Sequence, residues 1–530
     1  MKNKTLLYTL VFVIFIQACA TYHFRSNYKD ANSLMHESVN MQTKPFLKAH
    51  LKNGDVCILR NFWKVDSSLN IVRGKGTRYD FNRKLIFRGI IHIPVDSVAI
   101  FETNKKIQNP EASRIAALSI LAGLDVLLSI VCISSPKTCF GSCPTFYINE
   151  NDNFHHSDAE GFSNAISPSM QYYDIDALNN GQLLSNTFSI TMKNEALETH
   201  CVKDVKLFAY PRKDGERVYQ SPTNEFYLCK NIYPLSFATA NEGDVTQLLE
   251  NKDRRERFSL CDENNLSSKE EIYLSFDNVK NTNDLGLILN FRQTLMTTYF
   301  IYSAMGYMGD EVGDFFAKLE LDKNSKEKLK GGIRKELGSI DIYLWNELKN
   351  KWVIQNEFYE TGPIAVNQQF TPLQNISSES KVKLKIVLNK GLWRIDYLAL
   401  TSIKEKIKPY EISPNSIFNK GKLDPAALSE INNSDKYLIS MPGSEYKFNF
   451  TIPSSKTDYE LFLYSEGYYL EWMREHWIKE KNLLKLNQMV NHPKKYLKEE
   501  AKNYKQYETK LEQEFWNSKV DTKNFSYYEN

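Results

Sequence analysis

The chain has 530 residues, 67 Lys and Arg against 64 Asp and Glu, and 42% hydrophobic residues. That composition excludes wholesale disorder, and a formal charge of +3 leaves no electrostatic footprint for nucleic acid. The length sets a prior of roughly three to four domains, and 13% aromatics with only 22 glycines favour sheet layers over glycine-rich phosphate loops.

Lys2 and Lys4 precede an apolar run from Thr5 to Ile16. The run is too short to span a bilayer comfortably and fits the apolar stretch of a secretory signal. It closes on Ile16-Gln17-Ala18-Cys19, which resembles the lipobox of bacterial lipoproteins. The resemblance implies a signal peptide over 1–18 and diacylglycerol and palmitate-type acyl chains on Cys19. Buried chains contribute about 0.8 kcal/mol per methylene, so several of them anchor stably. Residues after Cys19 read Ala-Thr-Tyr-His, with no Asp and no acidic cluster, and the expected place is the outer membrane, periplasmic face.

Residues 19–43 read as a polar tether. Over 44–105, Asn53-Gly54 between alternating runs marks a hairpin, with further strands at 69–73, 84–93 and 97–102. That spacing predicts a small SH3-like barrel. Residues 106–180 hold an apolar run at 115–134, interrupted by Asp125, and then Cys139-Phe140-Gly141-Ser142-Cys143-Pro144. The run suits either a very apolar helix buried between domains or a second membrane contact. Residues 181–330 predict a β-rich domain with helices, and 331–465 a jelly-roll-like β-sandwich. Over 466–530, Leu470, Met473, Trp477 and Leu484, then Leu497, Ala501, Tyr504, Leu511 and Phe515, recur at helical spacing around Pro493. They predict a C-terminal helical hairpin. The fold class is therefore multi-domain and mainly β.

With Cys19 lipidated, seven cysteines remain, an odd number. Cys139 and Cys143 are spaced to close a small disulfide loop rather than a redox Cys-x-x-Cys. Cys201 and Cys229 flank Asp214-Gly215 symmetrically and would pair if the segment were one hairpin.

No phosphate loop, zinc-protease helix or serine elbow is present. Gly74-Lys75-Gly76 falls short of a dinucleotide fingerprint, and His155-His156 with Asp152 and Asp158 reads as a solvated turn before a metal site. Glu195 and Glu198 read as a polar edge rather than a glycosidase pair. Trp345, Trp352 and Trp393 fall in the expected sandwich, and Trp393-Arg394-Ile395-Asp396-Tyr397 alternates polar and aromatic residues. Trp393, Arg394 and Asp396 thus form a candidate glycan face. No cofactor or metal is implied.

The Cys139–Pro144 motif with Tyr147 resembles a Cys-Phe-Gly-x-Cys-Pro signature in uncharacterised bacterial outer-membrane lipoproteins. Asp96–Asn104, Asn194–His200, Trp393–Tyr397 and Gly467–Arg474 look like stretches of the same proteins. That resemblance implies no activity. The expectation is a non-enzymatic periplasmic scaffold or binding lipoprotein with an unidentified envelope protein partner. The alternative is an envelope glycan-binding protein or hydrolase using the 339–400 sandwich.

Overall fold

The computed structural model describes residues 22–29, 47–51, 56–59, 63–79, 85–108, 143–148, 157–178, 186–196, 198–280, 284–309, 315, 332–359, 362–374, 380–440, 443–453, 458–471, 480–519 and 522. The expected signal peptide, Cys19, the apolar run 115–134 and Cys139 lie outside them. The chain is mainly β, with a half-barrel sheet. Among the described residues no helix is long and apolar enough to cross a membrane.

Two compact units divide the chain. The first takes the described residues of Met1–Cys139, Met308–Ser325 and Trp472–Lys481. Its strands are β1 (Tyr22–Lys29), β2 (Leu47–Leu51), β3 (Val56–Leu59), β4 (Lys64–Asp66), β5 (Ile71–Tyr79), β6 (Leu85–Pro94) and β7 (Val98–Gln108). They form one antiparallel sheet in the order β1-β7-β2-β3-β5-β4, with β6 also on β5. β2 and β3, which flank the expected Asn53-Gly54 turn, pair antiparallel with Leu47 opposite Leu59, and the turn residues themselves lie outside the described residues. Alternation buries Leu47, Ala49, Cys57 and Leu59 around Trp63. Gly76 belongs in this strand for a packing reason: a Cβ there would lie 2.1 Å from the Ile58 carbonyl oxygen.

The second unit takes Phe140–Tyr307, Lys326–Glu471 and Asn482–Asn530. Its first strands are β8 (Thr145–Tyr147), β9 (Ala159–Glu160), β10 (Tyr172–Ala177), β11 (Thr187–Lys193), β12 (Glu198–Arg212), β13 (Glu216–Gln220) and β14 (Phe226–Pro234). Next come β15 (Phe237–Ala240), β16 (Gly243–Asp244), β17 (Arg257–Phe258), β18 (Lys269–Phe276), β19 (Leu285–Gln293), β20 (Ile340–Asn346), β21 (Lys351–Phe358) and β22 (Asn367–Pro372). The last are β23 (Val382–Asn389), β24 (Trp393–Ile407), β25 (Tyr410–Ile412), β26 (Ser416–Asn419), β27 (Lys422–Leu423), β28 (Leu438–Ser440), β29 (Glu445–Thr451) and β30 (Asp458–Glu471).

Four sheets result: β27-β26-β29-β11-β8-β9; β10-β30-β12-β25; β13-β14-β24-β19-β22; and β16-β15-β18-β23-β20-β21. The sheet carrying β12 and β30 is sandwiched. One face packs on the β11–β29 sheet through Phe146, Ile190, Val205, Leu463 and Phe448. Its other face meets β13 and β14 through Ile175, Phe462, Val218 and Phe226.

Long-range pairing departs from the expected domain borders. β19 pairs β24, so the 181–330 and 331–465 segments share a sheet. β12 pairs β30 along almost its whole length, which carries the 466–471 stretch into a strand. Leu470, expected on a helix, therefore lies on β30, because that edge-to-edge pairing outweighs its local helical spacing. The C-terminal residues form three helices rather than two, Leu483–Asn491, Pro493–Glu499 and Ala501–Ser518. Pro493 opens the middle one, where a missing N–H costs nothing.

Candidate functional site

The Asp214-Gly215 turn exists, but β12 and β13 leave it into different sheets. Cys201 then lies opposite Tyr468 and Cys229 opposite Arg217. The two are not bridged: both are buried free thiols, and the symmetric spacing fails because the turn does not close a hairpin. Burial raises each thiol to about 12, so neither is a ready nucleophile.

The expected glycan face is also corrected. Trp393 is 1% exposed and meets Phe291 edge-on at 5.7 Å. Arg394 bonds Glu512 at 2.6 Å and covers the Phe258 ring. Asp396 sits at a register shift in β24 and accepts from the Arg254 N–H at 2.7 Å. All three side chains serve the interior, and no sugar can stack on a buried ring. Trp345 and Trp352 differ: they pair across β20 and β21, edge-on at 5.2 Å. Trp352, Tyr273 and Tyr343 surround the Lys385 ammonium, which lies 5.3 Å from Tyr343 and 5.5 Å from Trp352.

Glu195 and Glu198 likewise do not share a site. Glu195 accepts from Tyr147, Thr145 and Lys519 at 2.6, 2.8 and 3.0 Å. Burial opposes its ionisation, yet Lys519 and the two hydroxyls hold its carboxyl below the usual value. Glu198 bonds His200 at 2.8 Å, both fully buried. Of the histidine turn, only Asp158 is described, and it accepts from the Ile148 N–H. No cluster among the described residues has the makings of a metal site.

A cleft of about 700 Å³ lies where several sheets end. Its floor is Glu160 on β9, with Asp174 and Asp176 on β10. Tyr172, Tyr173 and Tyr359 form aromatic walls, and Gln171, Asn224, Asn367 and Gln369 add amides. Alternation along β10 places Asp174 and Asp176 on one face and Tyr173 and Ile175 on the other, while Tyr172, the first residue of the strand, lays its ring against Tyr173. Tyr173 stacks between Tyr172 and Tyr464 at 5.6 and 5.2 Å.

Glu160 is held by the motif that stood out in the sequence. The Cys143 thiol donates to its Oε1 at 2.7 Å. Ile364 and Ala365 N–H groups donate to Oε2 at 2.8 and 3.2 Å. That approach requires Gly362, since a Cβ there would lie 1.9 Å from the Glu160 carboxyl carbon. The Gly161 N–H returns to the Pro144 carbonyl at 2.9 Å. Phe162, fully buried, takes a φ of +34°, local strain of the kind that gathers at functional sites.

Cys143 thus carries a free thiol bonded to a carboxylate, while its expected disulfide partner Cys139 lies outside the described residues. Burial, and then Glu160, push this thiol well up, so it acts as a neutral donor. Burial also raises the Glu160 carboxyl, against the donors that stabilise its charge. Asp176, which accepts from the Glu160 N–H at 3.1 Å, is raised well above the ordinary value by burial and then by Asp174. Two acids whose carboxyls are raised by burial thus line an open cleft, and perturbed acids of this kind are enriched at functional sites. In sequence, the available signal was Tyr172-Tyr173-Asp174-Ile175-Asp176, a strand with acids and tyrosines where apolar alternation is the rule.

No protein-family model matches the chain. No curated protein matches it either.

Proposed function

We propose that this chain is a lipid-anchored cell-envelope protein, held at the periplasmic face of the outer membrane through Cys19, that works by binding rather than by catalysis. The observation that carries the binding reading is the cleft on β10, walled by tyrosines and amides over buried acids. Largely preformed concavities of this size and lining are the common form of ligand sites. The anchor rests on Lys2, Lys4, the apolar run and Cys19, and on the resemblance to uncharacterised outer-membrane lipoproteins. Within this reading, 44–105 is a small SH3-like barrel module and 339–400 belongs to a sandwich.

Two measurements test it. Cys19→Ala is expected to move the protein from the membrane to the soluble periplasmic fraction. A photo-crosslinking residue at Tyr172 is expected to trap an envelope ligand, while one at the exposed Tyr410, outside the cleft, does not. Retention of the Cys19→Ala protein on membranes refutes the anchor, and equal yields at Tyr172 and Tyr410 refute the cleft.

A second reading, envelope glycan binding, is favoured by one observation: the aromatic row of Tyr273, Tyr343 and Trp352 around Lys385 on the outer face of the β18-β23-β20-β21 sheet. Trp352→Ala, not Trp393→Ala, is its test on a glycan array, because Trp393 is interior.

A further inference from the structure

The cleft borders every residue from Met170 to Asp176. Consecutive strand residues point to opposite faces, so a cavity that touches all of them runs along the edge of β10, not over one face. β10 is the terminal strand of its sheet, and among the described residues only β30 pairs with it. Leu178 donates to the Leu461 carbonyl at 2.9 Å, in register with Ala177 opposite Phe462. In an antiparallel ladder the residues two and four before Leu178 bond the same way, and those between turn their N–H and C=O outward. The outward backbone groups are therefore those of Tyr173 and Ile175, at the cleft.

A strand edge offers donors and acceptors at the repeat of another polypeptide, and nothing in a sugar or small metabolite matches that spacing. β10 is six residues long, about 20 Å of extended chain. The charge balance selects among polypeptides. Four acids, Glu160, Asp174, Asp176 and Glu357, line the cleft against one cation among the described lining residues, Arg334, and since burial opposes the charge of Glu160 and Asp176, the preference rests on Asp174 and Glu357. On the far wall the Gln369 amide oxygen is buried with no hydrogen-bond partner among the described residues, an acceptor left for an incoming donor.

Resting on the binding reading above, we propose that the ligand of this cleft is an extended, cationic segment of a partner polypeptide, added as a strand to the outer edge of β10. Backbone pairing with Tyr173 and Ile175 gives the affinity. Lysine or arginine side chains directed at Asp174, Glu357 and Gln369 give the preference.

The test uses the full lipidated chain in detergent micelles. The probe is a fluorescent alternating Lys-Val peptide about as long as β10. Comparison probes are two versions N-methylated at either the Lys or the Val nitrogens, an alternating Glu-Val peptide, and a chitin oligosaccharide. The expected result is saturable binding of the Lys-Val peptide and weakening of about tenfold or more in at least one methylated version. In the protein, Tyr173→Pro removes the outward N–H at an edge position that tolerates proline, and it is expected to weaken binding more than Tyr173→Ala, which keeps that N–H. The methylated peptides carry the decision if the proline variant fails to fold. Equal binding by both methylated versions, binding of the Glu-Val peptide or the oligosaccharide in place of Lys-Val, or no Lys-Val binding overturns the added strand. Those outcomes leave the cleft reading standing if Tyr172 crosslinks in the envelope, and its failure to crosslink removes that reading separately.

Discussion

The second unit buries two sets of carboxylates and treats them in opposite ways. Glu270 meets Arg257 at both oxygens, each at 2.6 Å, with both residues almost fully buried. Glu256 and Glu512 both meet Arg292, and Arg394 also reaches Glu512. In the cleft, Glu160 is met by a thiol and two backbone N–H groups, and Asp176 by one backbone N–H. Among the described residues no lysine or arginine bonds to either of these two. Where a guanidinium faces a carboxylate the ion pair holds strands together. Where only weak or neutral donors face it, burial drives the carboxyl toward its protonated form. The first arrangement is structural, and the second leaves acids with raised carboxyls beside open space.

The largest effect is expected from breaking the first set. Arg292 is 3% exposed and binds Glu256, Glu512 and the Pro363 carbonyl. Arg292→Met leaves the buried Glu256 without its two-point partner while Arg394 still holds Glu512, and unfolding in urea is expected to show a loss of about 3–5 kcal/mol. A loss below about 1 kcal/mol would equate this network with surface ion pairs and dissolve the contrast.

Next comes Gly362→Ala. The new methyl cannot coexist with the Glu160 carboxylate where both now lie. Overpacking of this kind costs about 1–3 kcal/mol. The Ile364 and Ala365 N–H groups are expected to lose protection in hydrogen exchange as the loop moves off Glu160. Unchanged exchange there would show that the loop does not depend on this approach.

Cys143→Ala follows. It removes a buried donor and leaves Glu160 Oε1 short of a partner, at a cost of about 1–2 kcal/mol. Cys143→Ser restores a donor and is expected to recover most of the loss. If the serine variant is as unstable as the alanine one, thiol packing rather than the hydrogen bond matters.

What the sequence made legible follows from the range of the forces involved. The β2–β3 hairpin and the strands β20, β21, β23 and β24 were readable because alternation and turn residues act over a few positions. The pairing of β12 with β30 was not, since its partners are more than two hundred residues apart and leave no local mark. The same reason hid the site. Cys143 stood out as half of a short-range motif, but Glu160, Ile364 and Asp176 reach it only through strand order. Trp393 and Trp352 look alike as letters. One lies on a central strand covered on both sides, the other on the outer face of an edge strand.

The smallest change, Asp176→Asn, separates the two sets by sign. The amide oxygen can still accept the Glu160 N–H. Asp176 titrates higher in the folded protein than its unfolded value of about 3.9, because burial and Asp174 oppose its charge. The folded state therefore binds the proton more tightly. The stability this group contributes is complete below about pH 4 and is lost as pH rises through the folded value. Asparagine cannot ionise, so the variant is expected to match the wild type in acid and to become the more stable of the two as pH rises. A melting series across pH reads this directly. Glu256→Gln at the Arg292 network, by contrast, breaks a buried ion pair and is expected to lose stability. If Asp176→Asn instead loses stability as pH rises, burial does not raise the Asp176 carboxyl, and the contrast between the two sets fails.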